Sequence, residues 1–239
     1  MKKRTKYTYT RTIQVLKKYQ NRKNLAGMAR FGMTPDGRLG LSVVTMRKIA
    51  KDIGKDHNLA LKVYNSGYVE GRIVAALIDE PEKVTKKQMN DWVQKLNSWD
   101  DTDQLCMNLF DKTSYALEMI KKWHKSPKEF VKRSAYSLIA SLAVHDKNAP
   151  NSKFIKLFPI IKKGSSDERN FVKKAVNWAL RQIGKRNLKL NKEALKLAYQ
   201  IKKLDSPSSR WIANDAIREL ENKKTIKRLK EKDAKAQRI

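Results

Sequence analysis

"EFVKRSAYSLIASLA" occupies residues 129–143, and "NFVKKAVNWALRQIG" occupies residues 170–184. Phe130-Val131-Lys132-Arg133 lies over Phe171-Val172-Lys173-Lys174 at an offset of 41 residues. In each copy apolar residues recur at spacings of three and four, the period of a helix with a buried face. A third copy, "SRWIANDAIREL" at residues 209–220, follows about one period later. Between the copies lie second helices, "SKFIKLFPIIKKG" at 152–164 and "NKEALKLAYQIKKL" at 191–204. Helix pairs repeating at roughly 40 residues predict a stack of HEAT-like units. The expected fold is all-α: a HEAT-like repeat α-solenoid, an α-α superhelix with a concave basic groove. An irregular helical bundle is the alternative, and the aligned FVK segments favour repeats over it.

Upstream, "SVVTMRKIAKDIG" at 42–54 offers Ser42 as a cap and Gly54 as a stop. Val43, Met46, Ile49, Ala50 and Ile53 share one face of that helix. The few Gly and Pro residues concentrate in "FGMTPDGRLGLS", residues 31–42, which reads as a loop or tight turn. No acidic residue precedes Asp36, whereas basic residues run from Lys2, Lys3, Arg4 and Lys6 to Arg30. The predicted organisation is a basic N-terminal helix or arm over 1–25, one repeat domain over 26–222, and a basic C-terminal tail over 223–239. Both ends read either as solvated helix or as phosphate-binding arms.

The chain of 239 residues holds 54 Lys and Arg against 24 Asp and Glu, a formal net charge of +30. Self-repulsion on that scale opposes compaction and points to a polyanionic partner. Nucleic acid comes first, because each neutralised phosphate releases counterions, and an anionic membrane surface comes second. No apolar run approaches the roughly 18 residues of a membrane span. The basic start is not followed by an apolar segment, so no secretion signal is expected. Cys106 stands alone, which excludes a disulfide framework and fits a cytoplasmic protein. His57, His124 and His145 lack metal-ligand spacing, and "DDTD" lacks the glycine and distal glutamate of a calcium loop. Neither metal nor cofactor is expected.

In a solenoid of this kind equivalent positions stack. Here they are basic: Arg133 over Lys174, with Lys132, Lys173, Lys185 and Arg210 nearby in the repeats. Lys174, Trp178 and Arg181 fall on one helical face, cations around an aromatic ring. Such a face suits a nucleic-acid backbone and its exposed bases. The plain alternative is a core tryptophan among solvated cations. A second aromatic, Trp99, opens "WDDTDQL". Asp103 lies four residues on, on the same side of a helix, while Asp100 or Asp101 could cap it. An acid facing a polyanion is costly unless it meets a cation. One such cation is the charge that develops on a sugar as its glycosidic bond breaks.

"NSWDDTDQL", "FVKRSAYSLIASL" and "FVKKAVNWALRQIGK", the last with a K-A-x-x-W-x-L-R pattern, resemble the AlkD-type DNA alkylation-repair family. The resemblance spans roughly residues 28–220. Its members are HEAT-like repeat glycosylases that excise alkylated purines. The resemblance implies that Trp99 and Trp178 hold the damaged nucleotide and that Asp103 is the catalytic carboxylate. It implies that Arg133 grips phosphate near the lesion, and that bases already carrying positive charge, such as 3-methyladenine and 7-methylguanine, leave without entering a pocket. That chemistry needs no general acid. It needs negative charge near C1′ and an oriented water.

In "MARFGMTPDGRLGLSVVTMRKIAK", residues 28–51, a Gly- and Pro-containing loop replaces an expected lesion-contacting helical segment. Two expectations therefore stand. One is a monofunctional, cofactor-free glycosylase acting as a monomer on alkylated or distorted double-stranded DNA, with no membrane partner, cytoplasmic and nucleoid-associated when bound. The other is a non-catalytic HEAT-like protein for branched or distorted DNA. A scaffold for an acidic protein is a third, more distant option.

Overall fold

The computed structural model describes residues 7–236, so the expectations for Lys2, Lys3, Arg4 and Lys6 lie outside the described residues. Regular structure among the described residues is helical throughout. The chain divides into two compact units, the first ending at Ala116 and the second beginning at Leu117. That boundary falls inside the stretch 26–222 that the sequence reads as one domain.

The first unit contains α1 (Tyr9–Lys18), α2 (Arg22–Arg30), α3 (Val43–Ile53), α4 (His57–Tyr64), α5 (Val69–Ile78), α6 (Lys86–Val93) and α7 (Trp99–Asn108). α5 reads "VEGRIVAALI" and is buried on nearly every side, its two charges, Glu70 and Arg72, each engaged by partners from other segments. It packs against α1, α3, α4 and α7. α3 begins and ends as its sequence demands: Ser42 accepts from the Thr45 amide, and Gly54 closes the helix at φ 83°. Between α4 and α6 the rings of Tyr64 and Trp92 stack at 3.9 Å, and the tyrosine hydroxyl donates to the Trp92 carbonyl at 2.5 Å.

The second unit runs through α8 (Ala116–Trp123), α9 (Glu129–His145), α10 (Asn151–Ile155), α11 (Phe158–Gly164), α12 (Asn170–Gly184), α13 (Leu188–Lys202), α14 (Pro207–Leu220) and α15 (Lys223–Ala236). The repeat read from sequence is α9, α12 and α14, which pack in that order. α9 is lined with small residues, and buried Ser134 and Ser141 return their hydroxyls to carbonyls of the preceding turn at 2.8 Å. Its smooth surface lets α12 approach closely.

The period is written into the side-chain bonds. Phe130 and Phe171, equivalent positions, meet at 5.6 Å between ring centres. Arg133 donates to the Phe171 carbonyl and Arg181 to Glu219, both across 38 residues. Ser208 donates to the Asp167 carbonyl across 41. In the first unit the comparable ties, Tyr64 to Trp92 and Arg72 to Asp101, span 28 and 29 residues. The segment read as a tail from residue 223 is, over Lys223–Ala236, a helix with Leu229 buried.

Arg186 joins these layers. It is 8% exposed, lies 4.1 Å over the Phe154 ring, and donates to the Ala143, Asp146, Lys147 and Ala149 carbonyls at 2.7–3.4 Å. A guanidinium fork thereby satisfies open carbonyls at the C-terminal end of α9 and in the turn that follows it. Arg186→Lys keeps the charge and loses the fork, so we expect a loss of about 2–3 kcal/mol. Urea denaturation would check this, and an unchanged midpoint would refute the clamp.

Candidate nucleic-acid interface

α7 begins at Trp99, one residue before the acids. Its N-cap, Ser98, makes no cap bond to the helix amides and instead donates its hydroxyl to Asp100 at 2.6 Å. Asp100 and Asp101 sit in the first turn, where negative charge suits the helix dipole. Their main partners are arginines rather than backbone amides. Arg38 grips both oxygens of Asp100, at 2.9 and 2.5 Å. Arg72 donates to Asp101 at 2.9 Å through Nε and to Asn97 at 2.7 Å. The two acids that read as caps are thus ties, one to the loop over 31–42 and one to α5.

The same loop is anchored twice more. The Trp99 indole N–H donates to the Phe31 carbonyl at 2.9 Å, and Thr34 donates its hydroxyl to the Asn97 carbonyl at 2.7 Å. At its far end the buried carboxylate of Glu70 accepts from the amides of Leu39, Gly40 and Leu41 at 2.8–3.3 Å. Gly40 sits at φ 80°, where a Cβ would lie 2.1 Å from the Asn21 carbonyl oxygen, so only glycine fits. Trp99 and Asp103 are half-buried on α7, four residues apart and therefore on one side.

The second unit holds the other sequence-derived residues. Trp178 is half-buried on α12. Lys174, one turn before it, is exposed and makes no ion pair among the described residues. Lys173 lies 5.6 Å over the ring of Trp211, itself 41% exposed on α14. Arg210 is exposed and 3.3 Å from Asp205. Other cations sit within the seams between helices. Arg133 is 5% exposed with its guanidinium on a carbonyl. Arg181 and Lys185 share Glu219 at 2.6 Å each, and Lys132 meets Asp167 at 3.0 Å.

Burial works against both carboxylates, yet hydrogen bonds from Arg169 and Lys132 hold Asp167 down to about 2. Lys185 and Arg181 likewise keep Glu219 below the usual range. Sequence spacing put Lys174, Trp178 and Arg181 on one helical face, yet Lys174 is exposed whereas Arg181 and Lys185 are paired in a seam. It could not show that their counter-charges arrive 34–38 residues later. Arg38, Arg72, Glu70 and Phe31 went unnoticed, because nothing local marks a partner 62 residues away.

The sequence matches a family model described as DNA alkylation repair enzyme over residues 12–230. A solved structure described as "a new family of proteins related to the HEAT-like repeat DNA glycosylases with affinity for branched DNA structures" superposes at a TM-score of 0.73 and 18% identity. That likeness covers 89% of this chain and 95% of the other, and it shows a HEAT-like fold. A designed armadillo repeat protein bound to a (KR)4 peptide covers 89% and 91% at 14% identity, but its TM-score of 0.38 is too low to inform the fold. No curated protein matches the sequence.

Asp101 is fully buried, and its Oδ1 has no hydrogen-bond partner. Burial pushes its carboxyl up to about 6, against the pull of Arg72. A carboxyl raised on folding binds its proton more tightly in the folded state. Its stabilisation is therefore complete below about pH 4 and is lost as pH rises through 6, by on the order of 3 kcal/mol. Asp101→Asn should remove that slope. Urea melts of both proteins at pH 4.5 and 7.5 would check it, and a stability difference independent of pH would refute it.

Proposed function

Because the chain belongs to the DNA alkylation repair enzyme family, we propose that it is a monofunctional glycosylase hydrolysing the N-glycosidic bond of cationic alkylated purines in duplex DNA. The observation that carries this reading is the side of α7 that Trp99 and Asp103 share, on a helix whose start is fixed. Asp100 and Asp101 are engaged by Arg38 and Arg72, which fixes the helix. Asp103 shares the side of Trp99. A carboxylate there would stabilise the oxocarbenium sugar as the base departs and orient the attacking water. The electron-rich indole face of Trp99 favours a cationic base or sugar, and Trp178, in the second unit, is a separate candidate for stacking on DNA. A base that already carries positive charge leaves without a protonating acid.

The remaining assignments follow the charge. Lys173, Lys174 and Arg210 are the candidates for direct phosphate contact, being exposed or half-exposed. Arg133, Arg181, Lys132 and Lys185 act through the helix seams they hold. The protein would work as a monomer in the cytoplasm, on nucleoid DNA.

A second reading, binding to branched or distorted DNA without excision, is favoured by the loop over 31–42. It draws further support from the affinity ascribed to the structural relative. Base release from N-methylated duplex DNA separates the two. Asp103→Asn should cut release by roughly 100-fold or more while changing DNA affinity less than about twofold. Release by the variant equal to wild type would sink the enzyme reading. No release by either protein, with tight binding to a four-way junction, would establish the second.

A further inference from the structure

Phe31 ends α2, and its side chain is 73% exposed. A phenyl ring left in water forgoes the free energy of burial, and such rings are usually covered. The backbone beneath this one is fixed. The amide of Met33 donates to the Met28 carbonyl at 3.1 Å and that of Gly32 to the Ala29 carbonyl at 2.9 Å, with Gly32 at φ 72°. This is a Schellman cap, which turns the chain sharply and leaves Phe31 at the corner. The Phe31 carbonyl is held by Trp99, and Arg38 reaches back from Asp100 to the Thr34 carbonyl at 2.6 Å. A bare ring therefore stands on a braced support.

The surroundings are cationic. Arg30 precedes Phe31 and is exposed, and Arg22 and Lys23 at the other end of α2 are exposed as well. Neither α1 nor α2 contains an acidic residue, and α2 buries none of its side chains. A partner for this corner must offer anionic groups beside flat apolar faces, the combination of phosphate and base in DNA.

We propose that Phe31 is a base-stacking wedge. It enters DNA at a step that is already kinked, unpaired or branched and covers the base face left open there. A continuous duplex must first be unstacked, so the wedge favours distorted DNA over intact duplex. The Trp99 hydrogen bond to the same residue puts the wedge beside the side of α7 that carries Asp103. The proposal rests on the reading of this chain as a DNA-binding protein. The rigid cap matters because little conformational freedom remains to be lost on insertion.

The test compares wild type, Phe31→Ala and Phe31→Trp on a continuous duplex and on the same duplex with a bulge or branch flanked by 2-aminopurine. Wild type should raise 2-aminopurine fluorescence and prefer the distorted DNA. Phe31→Ala should lose the fluorescence change and about tenfold of that preference, with the salt dependence of binding unaltered. Phe31→Trp should restore both. Phe31→Ala keeping preference and fluorescence change would overturn the wedge while leaving DNA binding intact. Absence of DNA binding by wild type at low salt would overturn the wedge through its premise, a result distinct from the first. Wild-type binding to phosphatidylserine vesicles, lost in Phe31→Ala with DNA preference unaffected, would overturn it in favour of a membrane surface.

Discussion

Two arginine–carboxylate pairs at the start of α7 hold the first unit in register. Successive residues on a helix point about 100° apart, so adjacent acids reach different neighbours. Asp100 meets Arg38 from the loop over 31–42, and Asp101 meets Arg72 from α5. One helix start thereby fixes both the core behind it and the loop beside it. The Trp99 indole, bonded to that loop, takes its place from the same ties. Removing either arginine would leave a carboxylate buried or half-buried with much of its pairing gone, which costs more than the pair itself contributes.

A chain with 54 basic and 24 acidic residues has few anions to place, and the buried ones serve as internal fasteners. Glu70 satisfies three amides of the loop. Asp79, fully buried, accepts from Gln88 at 2.6 Å and from the Glu80 amide at 2.8 Å, and it contacts His57 at 2.6 Å. Glu219 ties α12 to α14. The uncompensated positive charge is consequently left to exposed lysines and arginines. The same allocation that lets so basic a chain fold also concentrates its attraction for polyanions at the surface.

The repeat was legible because Phe130 and Phe171 do the same job in the same packing, and identical packing recurs as identical sequence. The side shared by Trp99 and Asp103 was legible because helical spacing is local. The meaning of Asp100 and Asp101 was not. An acid in a first turn is explained well enough by the helix dipole, and nothing nearby in sequence announces an arginine 62 residues earlier. Likewise Arg133 reads as a surface cation until α12 is laid against it. The loop's composition revealed a turn, but not that its backbone is braced while the ring of Phe31 is bare. Pairings across long separations depend on how elements dock, and helical periodicity carries no information about docking.

In the second unit the bonds between α9, α12 and α14 join neighbouring helices, each across about one repeat. A stack fastened joint by joint also contains damage: losing one seam leaves the other interfaces standing, whereas losing either tie at the start of α7 loosens the core behind it or the loop beside it.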